Sequence, residues 1–118
     1  MVTRTTRIDA VTFTGKSGKQ YDFRVYVWDT KFKALPGVYV VASRSIEPGQ
    51  TPTYESIFIG ASADLSKTFK NHPRSDCFQM YYANVIGVLK VPDEKMREQI
   101  SADLIEGLAP PCNATDAN

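Results

Sequence analysis

Residues 36–42 of this chain read Pro36-Gly37-Val38-Tyr39-Val40-Val41-Ala42, and this stretch decides the fold. The Pro-Gly pair is typical of a turn, and the residues after it are apolar or aromatic at every position. Because both faces of such a strand are apolar, it belongs in the centre of a covered sheet. Residues 56–60, Ser56-Ile57-Phe58-Ile59-Gly60, predict a further strand that stops at the glycine.

Upstream of this pair, the sequence predicts a β-hairpin. Two strand-like stretches, residues 11–14 and 21–28, flank the glycine-containing turn at residues 15–19. Tyr26 and Trp28 fall on the otherwise polar face of the longer strand. We predict that they pack under another element, and stacking on a nucleic-acid base is the functional alternative.

Downstream, the pattern predicts helix, strand and helix. Ser62 is placed to cap a helix over residues 63–72, and a strand follows at residues 83–91. Asp93 is placed to cap a second helix, which we expect to end at Gly107. The predicted buried side of that helix is formed by Met96, Ile100 and Leu104.

Composition restricts the classes of protein that fit. The 118 residues are enough for one domain, and 42% of them are hydrophobic. With 14 basic and 13 acidic side chains the net charge is +1, which is atypical of a dedicated nucleic-acid binder. No apolar run is long enough for a bilayer, and the polar start lacks the apolar core of a signal peptide, so we expect a cytoplasmic protein without a membrane partner. Cys77 and Cys112 are interpreted as separate small buried residues in a reducing compartment.

The order and spacing of several short motifs resemble those of the GIY-YIG nuclease superfamily, in particular a degenerate small bacterial member. The first two motifs correspond to Gly37-Val38-Tyr39 and Phe58-Ile59-Gly60, and they are followed by His72, Leu104-Ile105 and Pro110-Pro111-Cys112-Asn113. The resemblance implies an α+β fold, with a small antiparallel sheet flanked by helices. It places the GIY-YIG-like core at residues 36–113. The hairpin region, residues 1–35, is then an extension packed on that core, and residues 114–118 form a flexible tail.

The resemblance also implies a site from which catalytic groups have been lost. Tyr39 is retained, Phe58 lacks the hydroxyl of the family's second tyrosine, and Thr68 and Ser101 stand in the slots of the catalytic Arg and the metal-binding Glu. Neither replacement supplies the charge that phosphodiester cleavage needs. The predicted vestigial site therefore consists of Tyr39, Phe58, Thr68, His72, Ser101 and Asn113, with no cofactor.

We therefore predict a catalytically degenerate domain that acts as a binding or interaction module, possibly for nucleic acid, and an endonuclease or a protein-interaction domain without a nucleic-acid role are the two alternatives. An active endonuclease would need Mg²⁺ or Mn²⁺, with Glu98 as a weak candidate ligand, and a zinc site at His72 and the two cysteines is a further possibility. A nucleic-acid-binding module would use basic residues, for which the candidates are Lys16, Lys19, Lys67, Lys70 and Arg74. A protein-interaction domain would use the aromatic face around Trp28.

His72 either contacts a phosphate or caps helix carbonyls, and Asn113 either belongs to the site or braces its loop.

Overall fold

A single antiparallel sheet of five strands organises the chain, for which a computed structural model describes residues 7–114. The strands are β1 (Asp9–Thr14), β2 (Gln20–Val27), β3 (Gly37–Ser45), β4 (Thr53–Ser62) and β5 (Val85–Lys90), and their spatial order is β1-β2-β5-β3-β4. The helices are α1 (Ser75–Met80) and α2 (Glu94–Leu108), and short 3₁₀ turns occupy Leu65–Lys67 and Pro111–Asn113. The predicted α+β class with an antiparallel sheet is confirmed.

Strand β3 has the central, covered position that its sequence predicts. It pairs with β4 along one edge and with β5 along the other. Every residue from Gly37 to Ala42 is buried. Alternate side chains of β3 therefore supply two separate hydrophobic cores, one on each face of the sheet.

The inner core lies between the sheet and α2. It contains Phe13, Phe23, Val25, Val38, Val40, Ala42, Ile59, Val85, Val91, Ile100 and Leu104. The outer core lies on the opposite face, under α1 and the two 3₁₀ turns. It contains Tyr39, Val41, Ile57, Leu65, Phe78, Ile86 and Cys112.

The sheet curls around α2 until strands from its two ends meet. Asp9 on β1 forms an ion pair with Arg44 on β3, with Asp9 Oδ2 and Arg44 Nη2 3.2 Å apart, and accepts a hydrogen bond from the hydroxyl of Tyr54 on β4. Arg44 Nε also donates to the Tyr54 hydroxyl at 2.8 Å. The Tyr54 hydrogen bond, followed by smaller contributions that include Arg44, lowers the pKa of Asp9. These contacts hold β1 near β3 and β4 although the strand order separates them.

The N-terminal hairpin extends the sheet, because β2 pairs directly with β5. Its turn docks on α2, where Asp103 accepts hydrogen bonds from Ser17 N at 2.8 Å, Ser17 Oγ at 2.7 Å and Tyr21 Oη at 2.8 Å. The backbones approach closely there, and a Cβ at Gly107 would lie 2.6 Å from Lys16 N. The described part of the hairpin region, residues 7–35, is thus joined to residues 36–113 by strand pairing as well as by packing.

The first predicted helix is wrong. In place of a helix over residues 63–72 there is one 3₁₀ turn, and it is capped by Asp64, which accepts from Ser66 N at 2.9 Å, and not by Ser62. Side-chain hydrogen bonds of this kind compete with a continuing helix. Asn71 then adopts a left-handed backbone with φ 56°, and α1 begins only after Pro73.

The second predicted helix forms, with two corrections. Asp93 caps α2 as expected by accepting from Met96 N at 2.8 Å, but the side chain of Met96 is 52% exposed. Arg97 is buried in its place, because its Nη1 donates to the carbonyls of Val91 at 3.1 Å and Pro92 at 2.8 Å. The helix continues past Gly107 to Leu108, and the residue that caps its C-terminus is Ala109, whose φ is 46°.

The interpretation of the cysteines as separate thiols is also wrong. Cys77 on α1 and Cys112 on the second 3₁₀ turn form a disulfide across 35 residues of sequence. The pairing closes the C-terminal segment onto α1. It also removes both sulfurs from the zinc site considered as an alternative.

Candidate functional site

A buried tyrosine–histidine pair lies at the centre of the outer core. Tyr39 projects from β3 and is 4% exposed, and His72, in the loop before α1, is 8% exposed. Tyr39 Oη and His72 Nε2 are 2.9 Å apart. On the other side of the imidazole, the backbone N–H of Arg74 donates to His72 Nδ1 at 3.0 Å. Because Nδ1 accepts, the proton of the neutral ring lies on Nε2, which donates to the Tyr39 oxygen.

Aromatic rings enclose this pair. Phe58 lies 5.1 Å and Phe78 4.8 Å from the His72 ring, measured between centroids, and Phe69 lies 4.9 Å from the ring of Tyr39. Burial lowers the pKa of His72, with a smaller contribution from the charge of Arg74. Burial raises the pKa of Tyr39 to about 12. At neutral pH both members of the pair are therefore uncharged.

Gly60 provides the space for the tyrosine hydroxyl. It pairs with Tyr39 across β3 and β4, and a Cβ at Gly60 would lie 2.5 Å from Tyr39 Oη. A larger residue at this position would displace the ring. The glycine that ends the motif of β4 is therefore required by the tyrosine on the neighbouring strand.

Asn113 braces the outer edge of β4. Its side-chain oxygen accepts from Ile59 N at 2.7 Å, and its side-chain nitrogen donates to Ile59 O at 2.8 Å. The amide thus satisfies both backbone groups of Ile59 as a neighbouring strand would. This contact places the C-terminal turn beside Phe58.

The other members of the predicted site are dispersed. The Thr68 hydroxyl lies 2.9 Å from Asp64 O and 2.8 Å from Ser62 Oγ, so it stabilises its own turn. Ser101 and Glu98 belong to α2, and the Ser101 hydroxyl donates to Glu98 O at 3.2 Å. Since α2 packs on the inner core, the sheet separates both residues from Tyr39. The structure brings together Tyr39, Phe58 and His72, with Asn113 adjacent, and it does not bring Ser101 or Glu98 to them.

The basic residues singled out from the sequence do not form one patch. Lys16 and Lys19 lie in the hairpin turn, which docks on α2. Lys67 and Lys70 lie in or beside the 3₁₀ turn that inserts Leu65 into the outer core, on the other face of the sheet. Arg74 is engaged by backbone carbonyls, donating to Cys112 O at 2.9 Å and Ala114 O at 3.3 Å.

Trp28 is half-buried and packs against another element, as its strand pattern predicts, so the aromatic face considered for a protein-interaction domain is not an open surface. The ring of Trp28 meets Phe78 edge to face, with 5.9 Å between centroids. An exposed apolar segment lies instead at the end of α1, at Met80, Tyr81 and Tyr82, and Tyr82 is 81% exposed. No pattern in the sequence predicts this surface, because a helix as short as α1 has too few turns for a recognisable periodicity.

Across residues 7–114, no three side chains of His, Cys, Asp or Glu lie close enough together to hold a metal ion. In the same range, no helix has the length and apolar character needed to cross a membrane.

Comparison of the chain with protein-family models, with curated proteins and with solved structures finds no match. The function is therefore inferred from the structure itself, that is, from the residues around Tyr39 and His72 and from the charges on the surface.

Proposed function

We propose that this chain is a binding module built on a GIY-YIG-like core that has lost the constellation for phosphodiester cleavage. The pairing of the two motif strands supports this proposal, because Tyr39 of β3 lies directly opposite Gly60 of β4. His72 and Asn113 both lie beside Phe58 or its neighbour Ile59. These residues of the sequence motifs thus lie close to one another in space.

The observation that carries the proposal is that the hydrogen-bonded pair Tyr39–His72 is buried. A tyrosine that activates water must reach solvent and lose its proton near the working pH. The hydroxyl of Tyr39 is buried, its pKa is raised to about 12, and its oxygen accepts a hydrogen bond from the neutral imidazole of His72. Phe58 adds ring volume beside the pair and no hydroxyl. These features favour packing over catalysis.

The first alternative is a metal-dependent endonuclease with a shifted active site. It would need a carboxylate on the Tyr39 side of the sheet, and Glu98 lies on α2 across it. The second alternative is a protein-interaction domain without a nucleic-acid role. The exposed segment Met80-Tyr81-Tyr82 favours that reading.

A cytoplasmic location also stays a proposal. The Cys77–Cys112 disulfide weighs against it, because disulfides persist mainly in oxidising compartments. Mass spectrometry of the protein isolated from its source under alkylating conditions distinguishes the two states of the cysteines.

A cleavage assay tests the loss of catalysis. Purified protein is incubated with labelled duplex DNA, single-stranded DNA and RNA, each with Mg²⁺ or Mn²⁺ and with EDTA as control. We expect no metal-dependent product above background. Cleavage that requires the metal and is lost in folded Tyr39→Phe, but not in the surface control Tyr82→Phe, would show that the core is an active nuclease.

A further inference from the structure

Within residues 7–114, no helix residue lines the outer face of the sheet around Arg24. On β2, Arg24 points away from the inner core, and in register with it are Ala10 on β1 and Val88 on β5. These neighbours are small or apolar, so the Arg24 side chain stands free and exposed. A groove of about 440 Å³ runs over this area, lined by Arg7, Asp22, Tyr26 and Lys90 as well as Arg24.

A second groove continues the first. It has a volume of about 210 Å³, shares Tyr26 and Leu35 with its neighbour, and adds Phe32 and Lys33. Together the two form one continuous open surface, which we call the Arg24 groove, lined by residues of β1, β2 and β5, by Arg7 and by the loop after β2.

The Arg24 groove is basic although the chain as a whole is nearly neutral. Four cations line it, namely Arg7, Arg24, Lys33 and Lys90, and the one acidic residue is Asp22. Asp22 accepts a hydrogen bond from the Thr12 hydroxyl at 2.6 Å. Within residues 7–114 the only ion pair joins Arg44 to Asp9, so none of the four cations forms an ion pair with a described carboxylate, and they outnumber the single carboxylate of Asp22 in the groove. A local excess of this kind, in a chain of net charge +1, attracts an anionic ligand.

An aromatic ring lies where the two grooves join. Tyr26 is partly exposed, and Phe32 holds its ring edge to face with 5.3 Å between centroids. Phe32 is held in turn by Phe69 at 5.5 Å. A ring fixed in this way, beside unpaired cations, offers a stacking surface for an unpaired base.

We propose that the Arg24 groove binds single-stranded nucleic acid, with Arg24, Lys33 and Lys90 contacting phosphates and Tyr26 stacking on a base. The inference rests on the binding function proposed above and gives it a ligand and a site. A single strand is favoured over a duplex because bases inside a duplex cannot reach Tyr26. The site differs from the lysines expected from the sequence, which lie elsewhere.

Fluorescence anisotropy with labelled oligo(dT) and oligo(U), titrated at several salt concentrations, tests the proposal. The variant Arg24→Ala/Lys90→Ala removes two positive charges from the groove, and Lys16→Ala/Lys19→Ala removes two from the hairpin turn as the matched control. We expect the groove variant to weaken binding about tenfold or more at low salt and to reduce the salt slope by about 1.4, since each single-strand contact contributes about 0.7. The control is expected to change both quantities little.

A second variant isolates the aromatic contribution. Tyr26→Leu keeps apolar contact with Phe32 but removes the stacking ring, and we expect about fivefold weaker binding with an unchanged salt slope. Melting temperatures of all variants are measured so that unfolding is not mistaken for lost affinity. Heparin serves as the polyanion without bases.

Each other outcome overturns a defined part of the proposal. Equal losses in the groove and control variants would show that only net charge matters. Heparin binding as tight as that of oligo(dT), with no effect of Tyr26→Leu, would show a general polyanion site. Wild-type binding that is unaffected by the groove variant would refute the site and leave the binding function standing, whereas no wild-type binding at low salt would remove the nucleic-acid role itself.

Discussion

The substitution Tyr39→Phe separates a structural from a catalytic role for the buried pair. It keeps the aromatic ring, so no cavity forms, and removes only the oxygen that accepts from His72 Nε2 at 2.9 Å. His72 cannot compensate by changing tautomer, because the Arg74 N–H already faces Nδ1 and two donors would then meet. A buried donor therefore loses its partner, at a cost of about 1–3 kcal/mol of folding free energy.

The expected loss is large enough to measure by thermal and urea denaturation. For a chain of this length it corresponds to roughly 4 °C of Tm per kcal/mol. Tyr82→Phe is the matched control, since the Tyr82 side chain is 81% exposed and its change should stay within about 0.5 kcal/mol. If Tyr39→Phe were as stable as the wild type, or more stable, the pair would not be a structural element, and the argument against catalysis would fail.

Other predictions concern acid stability, the hairpin dock and the disulfide. Burial lowers the pKa of His72 below its usual 6.5, so the stability that the neutral ring provides is full above pH 6.5 and is lost as the pH falls through the folded-state pKa. NMR titration of this single histidine gives its pKa, which is compared with the pH dependence of Tm. An imidazole that titrates at or above pH 6.5 would contradict the prediction. Hydrogen bonds from Ser17 lower the pKa of Asp103, so Asp103→Asn should lower Tm at pH 7. The difference in Tm between the variant and the wild type should shrink as the pH falls through the folded-state pKa of Asp103. A Tm difference that does not depend on pH would exclude the charge of the carboxylate as its cause. Replacing Cys77 and Cys112 by alanine should cost about 4 kcal/mol, from the entropy of the loop that the disulfide closes. An unchanged urea midpoint in that double variant would mean that the disulfide does not stabilise the fold.

Local patterns in the sequence were enough to predict the elements whose stability comes from their own residues. The apolar run of β3 predicted its central position, since a strand covered on both sides carries no polar face. Asp93 identified the start of α2, because a capping side chain acts only on the backbone N–H groups just after it. The packing of Tyr26 and Trp28 against Phe32 and Phe78 follows from the excess of aromatic side chains on a strand face.

Contacts between distant segments decided the rest. Arg97, and not Met96, lies on the buried side of α2 because its guanidinium donates to carbonyls of the loop before the helix. The periodicity of apolar residues along the sequence does not include such contacts. The placement of α2 on the inner core separates Ser101 from Tyr39, although the motif order alone grouped them.

The curl of the sheet was the feature least accessible to the sequence. It brings Asp9 on β1 into contact with Arg44 on β3 and Tyr54 on β4, although the strand order separates them. The sequence alone was enough to predict which faces of the strands are apolar and which segments form strands. The tertiary structure decided which charges remain unpaired, because strand twist and helix docking act over the whole chain and fix which distant groups come within hydrogen-bonding distance.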